Sequence, residues 1–184
     1  WQNTAGNNTL KSVLLFTTLP SGGSTVVTDY TSTARVNYCA KWGCHVHIHQ
    51  ASKKVWANVP HEVGAEQFSA YFERYRAFAQ LLKDDHFERI ETFVFMDAEG
   101  AILRQDLDLS PYLPNSFSEY DVHFGDQPYS TRRGRPNLGF IAAKRSATTK
   151  DLFDQLADPW CTPECITLAQ QTSETFDECC INHI

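Results

Sequence analysis

Changes in the period of hydrophobic and polar positions divide this chain into elements. Ser12-Val13-Leu14-Leu15-Phe16-Thr17-Thr18 is a short apolar run broken by Leu19-Pro20-Ser21-Gly22-Gly23-Ser24, which predicts a buried strand with a flexible loop at its carboxyl end. From about Thr28 to Trp42 the apolar positions Tyr30, Ala34, Val36 and Tyr38 permit a helix, capped by Thr28 or Asp29 and stopped by Gly43. Cys44-His45-Val46-His47-Ile48-His49 then alternates at period two, as a second strand does. Between Ala65 and Leu82, apolar residues from Phe68 through Tyr75 and Phe78 to Leu82 recur at three and four, the clearest amphipathic helix in the chain. A polar turn, Lys83-Asp84-Asp85-His86, leads on to Ile90-Glu91-Thr92-Phe93-Val94-Phe95-Met96, whose β-branched and aromatic content predicts a buried parallel strand.

Beyond that strand, Ala101-Ile102-Leu103 reads as a short extension, and Pro111 and Pro114 mark irregular chain. Tyr120 to Phe124 and Leu138 to Ala143 read as two more strands, separated by a loop carrying Arg132, Arg133, Arg135 and Pro136. Thr148 or Thr149 caps a last helix that runs to about Ala157. Strand, helix, strand, helix, strand within the first hundred residues predicts an α/β fold with a mostly parallel central sheet flanked by helices. The 184 residues suit one domain, with a polar N-terminal extension over 1–11 and a cysteine-rich tail over 158–184. Ligands of such sheets sit at the carboxyl ends of strands. The Gly22-Gly23 loop and Asp97-Ala98-Glu99 both fall there and are expected to share one ligand.

Charge and cysteine content narrow the setting. With 16 Lys and Arg against 22 Asp and Glu, the net charge of -6 argues against nucleic acid as the main partner. No apolar run approaches a membrane span. The chain opens Trp1-Gln2-Asn3-Thr4, with no Met and no basic, apolar leader, so a processed end is expected. The six cysteines form two neighbourhoods. That favours disulfides in an oxidising compartment: a local Cys39–Cys44 pair, and a tetrad of Cys161, Cys165, Cys179 and Cys180 paired internally. Zinc is the rival for the tetrad, but its spacing matches zinc ribbons poorly. Asn7-Asn8-Thr9 is a glycosylation sequon, with Asn7 as the acceptor, and fits secretion.

Two patterns carry candidate metal chemistry. Asp97 and Glu99, two residues apart where a strand leaves regular structure, can converge on a hard cation such as Mn²⁺ or Mg²⁺. The alternative is a plain polar turn after a core strand. His45, His47 and His49 share one face of their strand and offer a zinc site, or else simply a polar edge strand.

The order of these pieces resembles the GT-A glycosyltransferases, nucleotide-sugar-dependent enzymes of the secretory pathway with a Rossmann-like domain. Several retaining families of that fold place a tyrosine and alanine before a Lys-x-Gly turn, as in Tyr38-Cys39-Ala40-Lys41-Trp42-Gly43. A basic helix, a strand ending in Asp-x-Asp and an Asn-x-Gly-Phe segment then follow, as do Arg74-Tyr75-Arg76, Met96-Asp97-Ala98-Glu99 and Asn137-Leu138-Gly139-Phe140 here. The resemblance covers roughly Val13 to Asn182 and rests on order and spacing.

The resemblance implies roles position by position. Asp97 and Glu99 would hold the divalent cation on the nucleotide diphosphate, although Glu99 departs from the usual aspartate. Arg74 would meet phosphate, its innocent alternative being a solvated helix face. Asn137 and Gly139 would line the donor-sugar pocket, with a bulge glycine as the alternative reading of Gly139. Asp177-Glu178, ahead of Asn182, resembles an acidic pair that touches sugar or acceptor, and His183 is the one late candidate for a histidine metal ligand.

The function expected is therefore metal-dependent transfer of a sugar from a nucleotide-diphosphate donor to a glycan or protein acceptor, in the Golgi lumen or outside the cell. If transfer inverts configuration, Asp177 or Glu178 is the candidate general base; if it retains configuration, the leaving diphosphate can assist the acceptor. The chain ends earlier than such domains usually do. That motivates the second expectation, a secreted structural or interaction protein on a degenerate glycosyltransferase fold, assembling as a homo-oligomer or extracellular array.

Overall fold

A computed structural model describes residues 10–19, 26–50, 65–114, 119–126 and 136–157. The expectations for Asn7, the Gly22-Gly23 loop, Cys161, Cys165, Asp177, Glu178, Cys179, Cys180 and His183 lie outside the described residues. Strand β1 (Val13–Leu19) is followed by helix α1 (Val26–Trp42), strand β2 (His45–Gln50), helix α2 (Ala65–Lys83) and strand β3 (Thr92–Met96). Strands β4 (Val122–Asp126) and β5 (Pro136–Lys144) and helix α3 (Ala147–Leu156) complete the described elements.

The five strands form one sheet in the order β2-β1-β3-β5-β4. Strand β1 pairs in parallel with β2, Leu14 opposite His45, and with β3, Phe16 opposite Phe95. Strand β5 runs antiparallel to both β3 and β4. The fold is thus α/β as expected, but the sheet is mixed: two strand pairings are parallel and two antiparallel. The reason lies in the connection. Only residues 127–135 separate β4 from β5, too few for the crossover of a dozen or more residues that a parallel pair requires.

Alternation along β1 and β3 sends side chains to two cores. Phe16, Phe93 and Phe95 meet Phe78 of α2 and Phe153 of α3 on one face, where the rings of Phe78 and Phe153 stack with centroids 4.1 Å apart. On the other face Val13, Leu15 and Val94 pack against Tyr38 and Trp42 of α1 and against Leu113. Burial of this much aromatic surface dominates the stability of such a domain.

Helix α1 turns a different face inward from the one its apolar residues suggest. Tyr30 and Val36 are 70% and 51% exposed, whereas Thr28, Thr31, Arg35, Tyr38 and Trp42 form the buried stripe. These five are spaced by three and four, as one helical face must be. The end of α1 follows expectation. Gly43 adopts φ of +86°, a conformation that side-chain-bearing residues disfavour, and its N–H donates to Cys39 O at 2.8 Å. Immediately beside it, Cys39 and Cys44 form the expected disulfide.

The expected extension at Ala101-Ile102-Leu103 is not a strand. Residues 102–113 instead run beside α1, tied by side chains. The Tyr38 hydroxyl accepts from Leu109 N and donates to Leu107 O, each at 3.0 Å, and Gln105 O accepts from Trp42 Nε1 at 3.1 Å. Helix α3 is capped by Ser146, not by a threonine; Ser146 Oγ accepts from Thr149 N at 3.0 Å, and Thr149 lies buried inside the helix. Among the described residues no helix is long and apolar enough to cross a membrane.

Candidate functional site

The residues singled out in sequence as Asp97, Glu99, Arg74, Asn137 and Gly139 meet at the carboxyl edge of the sheet. Strand β3 ends at Met96, and the chain turns at once: Gly100 N donates back to Asp97 O at 2.8 Å. Asp97 N donates to Gly139 O at 2.9 Å, so the β3–β5 ladder continues one residue past the strand. Because β5 is antiparallel, its amino end arrives where β3 finishes, and this brings Asn137 to Gly139 beside Asp97.

The pairing of β5 with β4 is irregular at the same place. Phe124 faces Ile141 and the next residue, Gly125, faces Asn137, so that Leu138, Gly139 and Phe140 are extra residues on β5. A bulge of this kind takes main-chain groups out of the ladder, and they must find other partners. They do: Leu138 O accepts from Arg74 Nη1 at 2.5 Å, and Gly139 N donates to Asn137 Oδ1 at 2.9 Å. Gly139 thus sits in the irregular stretch of β5, as its bulge reading has it, and it also lies close against Asp97. A β-carbon built on it would lie 2.6 Å from Asp97 Oδ2 and 3.0 Å from Asn137 Oδ1. Only glycine lets the Asp97 carboxylate lie against this strand.

Arg74 is not on a solvated face. It is 6% exposed, lies over the Phe95 ring with its guanidinium carbon 5.3 Å from the centroid, and places Nη1 3.6 Å from Asp97 Oδ1. It thus spans the main chain of β5 and the carboxylate at the end of β3. The Asp97 side chain keeps about a third of its surface open to solvent, and Glu99 is exposed.

Helix α1 supplies residues that sequence reasoning missed. Thr31 Oγ1 donates to Ala98 O at 2.5 Å, and Arg35 Nη2 donates to Asp97 O at 2.5 Å and to Gly100 O at 2.7 Å. Burial disfavours the charged form of Arg35, while the carboxylates of Asp97 and Glu99 favour it; burial wins, and its pKa is lowered. One signal was present in the chain. Tyr38 and Trp42 fix the inward face of α1, and stepping back by three and four from Tyr38 lands on Arg35 and Thr31.

Asp97 and Glu99 could hold a divalent cation between them. The Asp97 side chain is about a third exposed and Glu99 is exposed, so an ion can reach both carboxylates from solvent. Among the described residues no group of three or more His, Cys, Asp or Glu side chains converges on one point. The three histidines of β2 therefore do not make a zinc site with described residues. His49 Nε2 is bonded to the buried carboxylate of Glu73 at 2.9 Å, and His47 packs edge-on against Phe87. Burial, with His49 beside it, pushes the His47 pKa down.

The fold has a known counterpart. The chain is similar to a crystal structure of a glycosyltransferase involved in the glycosylation of the major capsid of PBCV-1. The TM-score is 0.60 at 15% identity, over 83% of this chain and 71% of that one. This shows a glycosyltransferase fold. No family model matches the chain, and no curated protein sequence matches it.

Proposed function

We propose that this protein is a metal-dependent glycosyltransferase that moves a sugar from a nucleotide-diphosphate donor to a glycan or protein acceptor. The observation that carries the proposal is the placement of Asp97. It leaves β3 at the edge where open α/β sheets take ligands, between a buried arginine and a glycine that makes room for it, in a fold shared with a glycosyltransferase.

In this reading Asp97 and Glu99 hold Mn²⁺ or Mg²⁺, with His183 as a further ligand and with water and diphosphate oxygens completing the shell. When bound, the cation neutralises charge on the leaving diphosphate. Arg74 orients Asp97 and holds the bulged main chain of β5 in place, so that Asn137 and Gly139 form the side of the pocket facing the donor sugar. Asp177 and Glu178 belong to the acceptor side. Placement in the secretory pathway or outside the cell is supported by the Cys39–Cys44 disulfide, since such bonds persist in oxidising compartments.

Calorimetric titration of UDP and GDP, with and without Mn²⁺, into the wild-type protein and Asp97→Ala tests the reading. Nucleotide binding that requires both the metal and Asp97 is the expected result. A folded protein that binds neither nucleotide under any condition would overturn the proposal and leave a glycosyltransferase fold put to another use.

A further inference from the structure

We propose that Arg35 is a positioning residue for the cation site: by gripping the main chain of the Asp97–Gly100 turn it fixes the direction in which Asp97 and Glu99 present their carboxylates. The inference rests on the reading of those two residues as cation ligands. It begins with a residue out of place. Arg35 lies in the middle of α1, on the buried stripe between Thr31 and Tyr38, and is 1% exposed. Burying a guanidinium costs several kcal/mol unless its hydrogen bonds and charge are well met. Here they are met at Nη2 alone. Among the described residues, buried Nε and Nη1 have no hydrogen-bond partner and Arg35 forms no ion pair. A leucine or methionine would pack this position at less expense.

What Arg35 gains is both ends of one turn. A single nitrogen, Nη2, donates to Asp97 O and to Gly100 O, at 2.5 and 2.7 Å. Thr31, one helical turn earlier on the same face, takes Ala98 O at 2.5 Å. Helix α1 thereby holds the carbonyls of residues 97, 98 and 100, while the turn closes on itself from Gly100 N to Asp97 O. A carboxylate two bonds from the main chain, as in Asp97, or three, as in Glu99, starts out where the main chain sends it. With φ and ψ of the turn fixed from below, the side chains of Asp97 and Glu99 start from a set geometry without being touched. That is the manner in which residues behind a metal's own ligands commonly tune a site. The charge works the other way, since a buried cation beside these carboxylates stabilises them without a metal and repels one, so the positioning role is one of geometry alone.

Geometry and charge can be separated. Arg35→Lys keeps the charge, but its stem is one atom shorter, so its ammonium stops short of the point from which Nη2 reaches both carbonyls. Arg35→Met keeps most of the volume and removes both the charge and the donors. Thr31→Val removes one grip and leaves Arg35 in place. Tyr38→Phe, one turn further on, removes the hydroxyl's bonds to Leu107 O and Leu109 N without touching the turn.

The measurement is the dissociation constant of Mn²⁺ alone, read from the signal of the free ion by electron paramagnetic resonance, with thermal unfolding followed in parallel. Arg35→Lys is expected to weaken Mn²⁺ binding by about tenfold or more. Arg35→Met should weaken it by less than Arg35→Lys, because the repelling charge leaves with the guanidinium, Thr31→Val by a lesser but measurable amount, and Tyr38→Phe should lower stability with Mn²⁺ affinity unchanged. Wild-type affinity in folded Arg35→Lys would overturn the proposal, as would a loss in Tyr38→Phe equal to that in Arg35→Lys.

If the wild-type protein itself binds no Mn²⁺, the cation reading fails, and the grip is then judged by hydrogen exchange at Gly100 N. Exchange there at least about tenfold faster in Arg35→Lys, or in Thr31→Val should the lysine variant not fold, supports the positioning role. Unchanged protection overturns it. Exchange reports local opening of that turn directly.

Discussion

Gly139 and Asp97 occupy each other's space. The Gly139 carbonyl accepts the Asp97 N–H at 2.9 Å, and a β-carbon on Gly139 would stand 2.6 Å from Asp97 Oδ2. Strand pairing and side-chain placement at the site are therefore one constraint, since the main chain that extends the ladder is the same main chain that leaves room for the carboxylate.

Gly139→Ala is expected to move the Asp97 carboxylate, because no protein tolerates a 2.6 Å carbon–oxygen contact. The strand can absorb much of the strain by rotating Asp97, so stability should fall by only about 1–2 kcal/mol. Mn²⁺-dependent nucleotide binding should fall far more. Denaturant unfolding and calorimetric titration on the same preparation check the two halves; a variant that binds like the wild type would show that the Asp97 position is unimportant.

Arg74→Met removes the buried donor from which Leu138 O accepts at 2.5 Å. Hydrogen bonds involving a charged group contribute about 1.5–3 kcal/mol, and a loss in that range is expected in urea unfolding. Arg74→Lys should recover part of it, because one ammonium donor can still reach a carbonyl although it cannot also lie flat over Phe95.

Asp121 links the start of β4 to the end of β5 and to the cap of α3. Its carboxylate accepts from Lys144 Nζ at 2.7 Å and Ser146 Oγ at 2.5 Å, and these bonds hold its pKa below the usual carboxylate value. A carboxyl group with a depressed folded-state pKa stabilises the protein above its unfolded pKa, about 3.9, and loses that contribution as pH falls from there through the folded value. Asp121→Asn should thus be less stable than the wild type by about 1 kcal/mol near neutral pH, the low end being expected because the pair is partly exposed. The gap should close as pH drops below about 4 and through the folded-state value. Thermal melts at a series of pH values measure it, and a gap that persists in acid would refute the assignment.

Reduction of Cys39–Cys44 should lower stability by about 2 kcal/mol, since a loop of this length restricts the unfolded chain only modestly. Calorimetric melts with and without reductant test this, with Cys39→Ala/Cys44→Ala as the check on incomplete reduction. Because the bond ties the last turn of α1 to the start of β2, amide exchange should rise first around Gly43.

Much of this protein was legible in its sequence, and what was legible was local. The apolar run before Asp97 fixes β3 because Phe93, Val94 and Phe95 have no other way to be buried, and the abrupt change to carboxylates marks its end. Gly43 stops α1 because only a residue free to take positive φ closes a helix in that way, and Cys39 finds Cys44 because five residues hold them near. Each of these outcomes depends on neighbours in the chain.

Tertiary structure decided the rest. The inward face of α1 cannot be read from apolar spacing, because at the carboxyl edge of the sheet that face meets main-chain carbonyls and so must be polar: Thr31 and Arg35 bind partners 67, 62 and 65 residues away. Arg74 looks like a surface residue until the bulge in β5 leaves Leu138 O in need of a donor. Strand β5 runs antiparallel because of the length of the connection before it, not because of its own composition. Hydrophobic pattern records which residues avoid water. It carries no record of which polar atoms, brought together from distant parts of the chain, will have to satisfy one another.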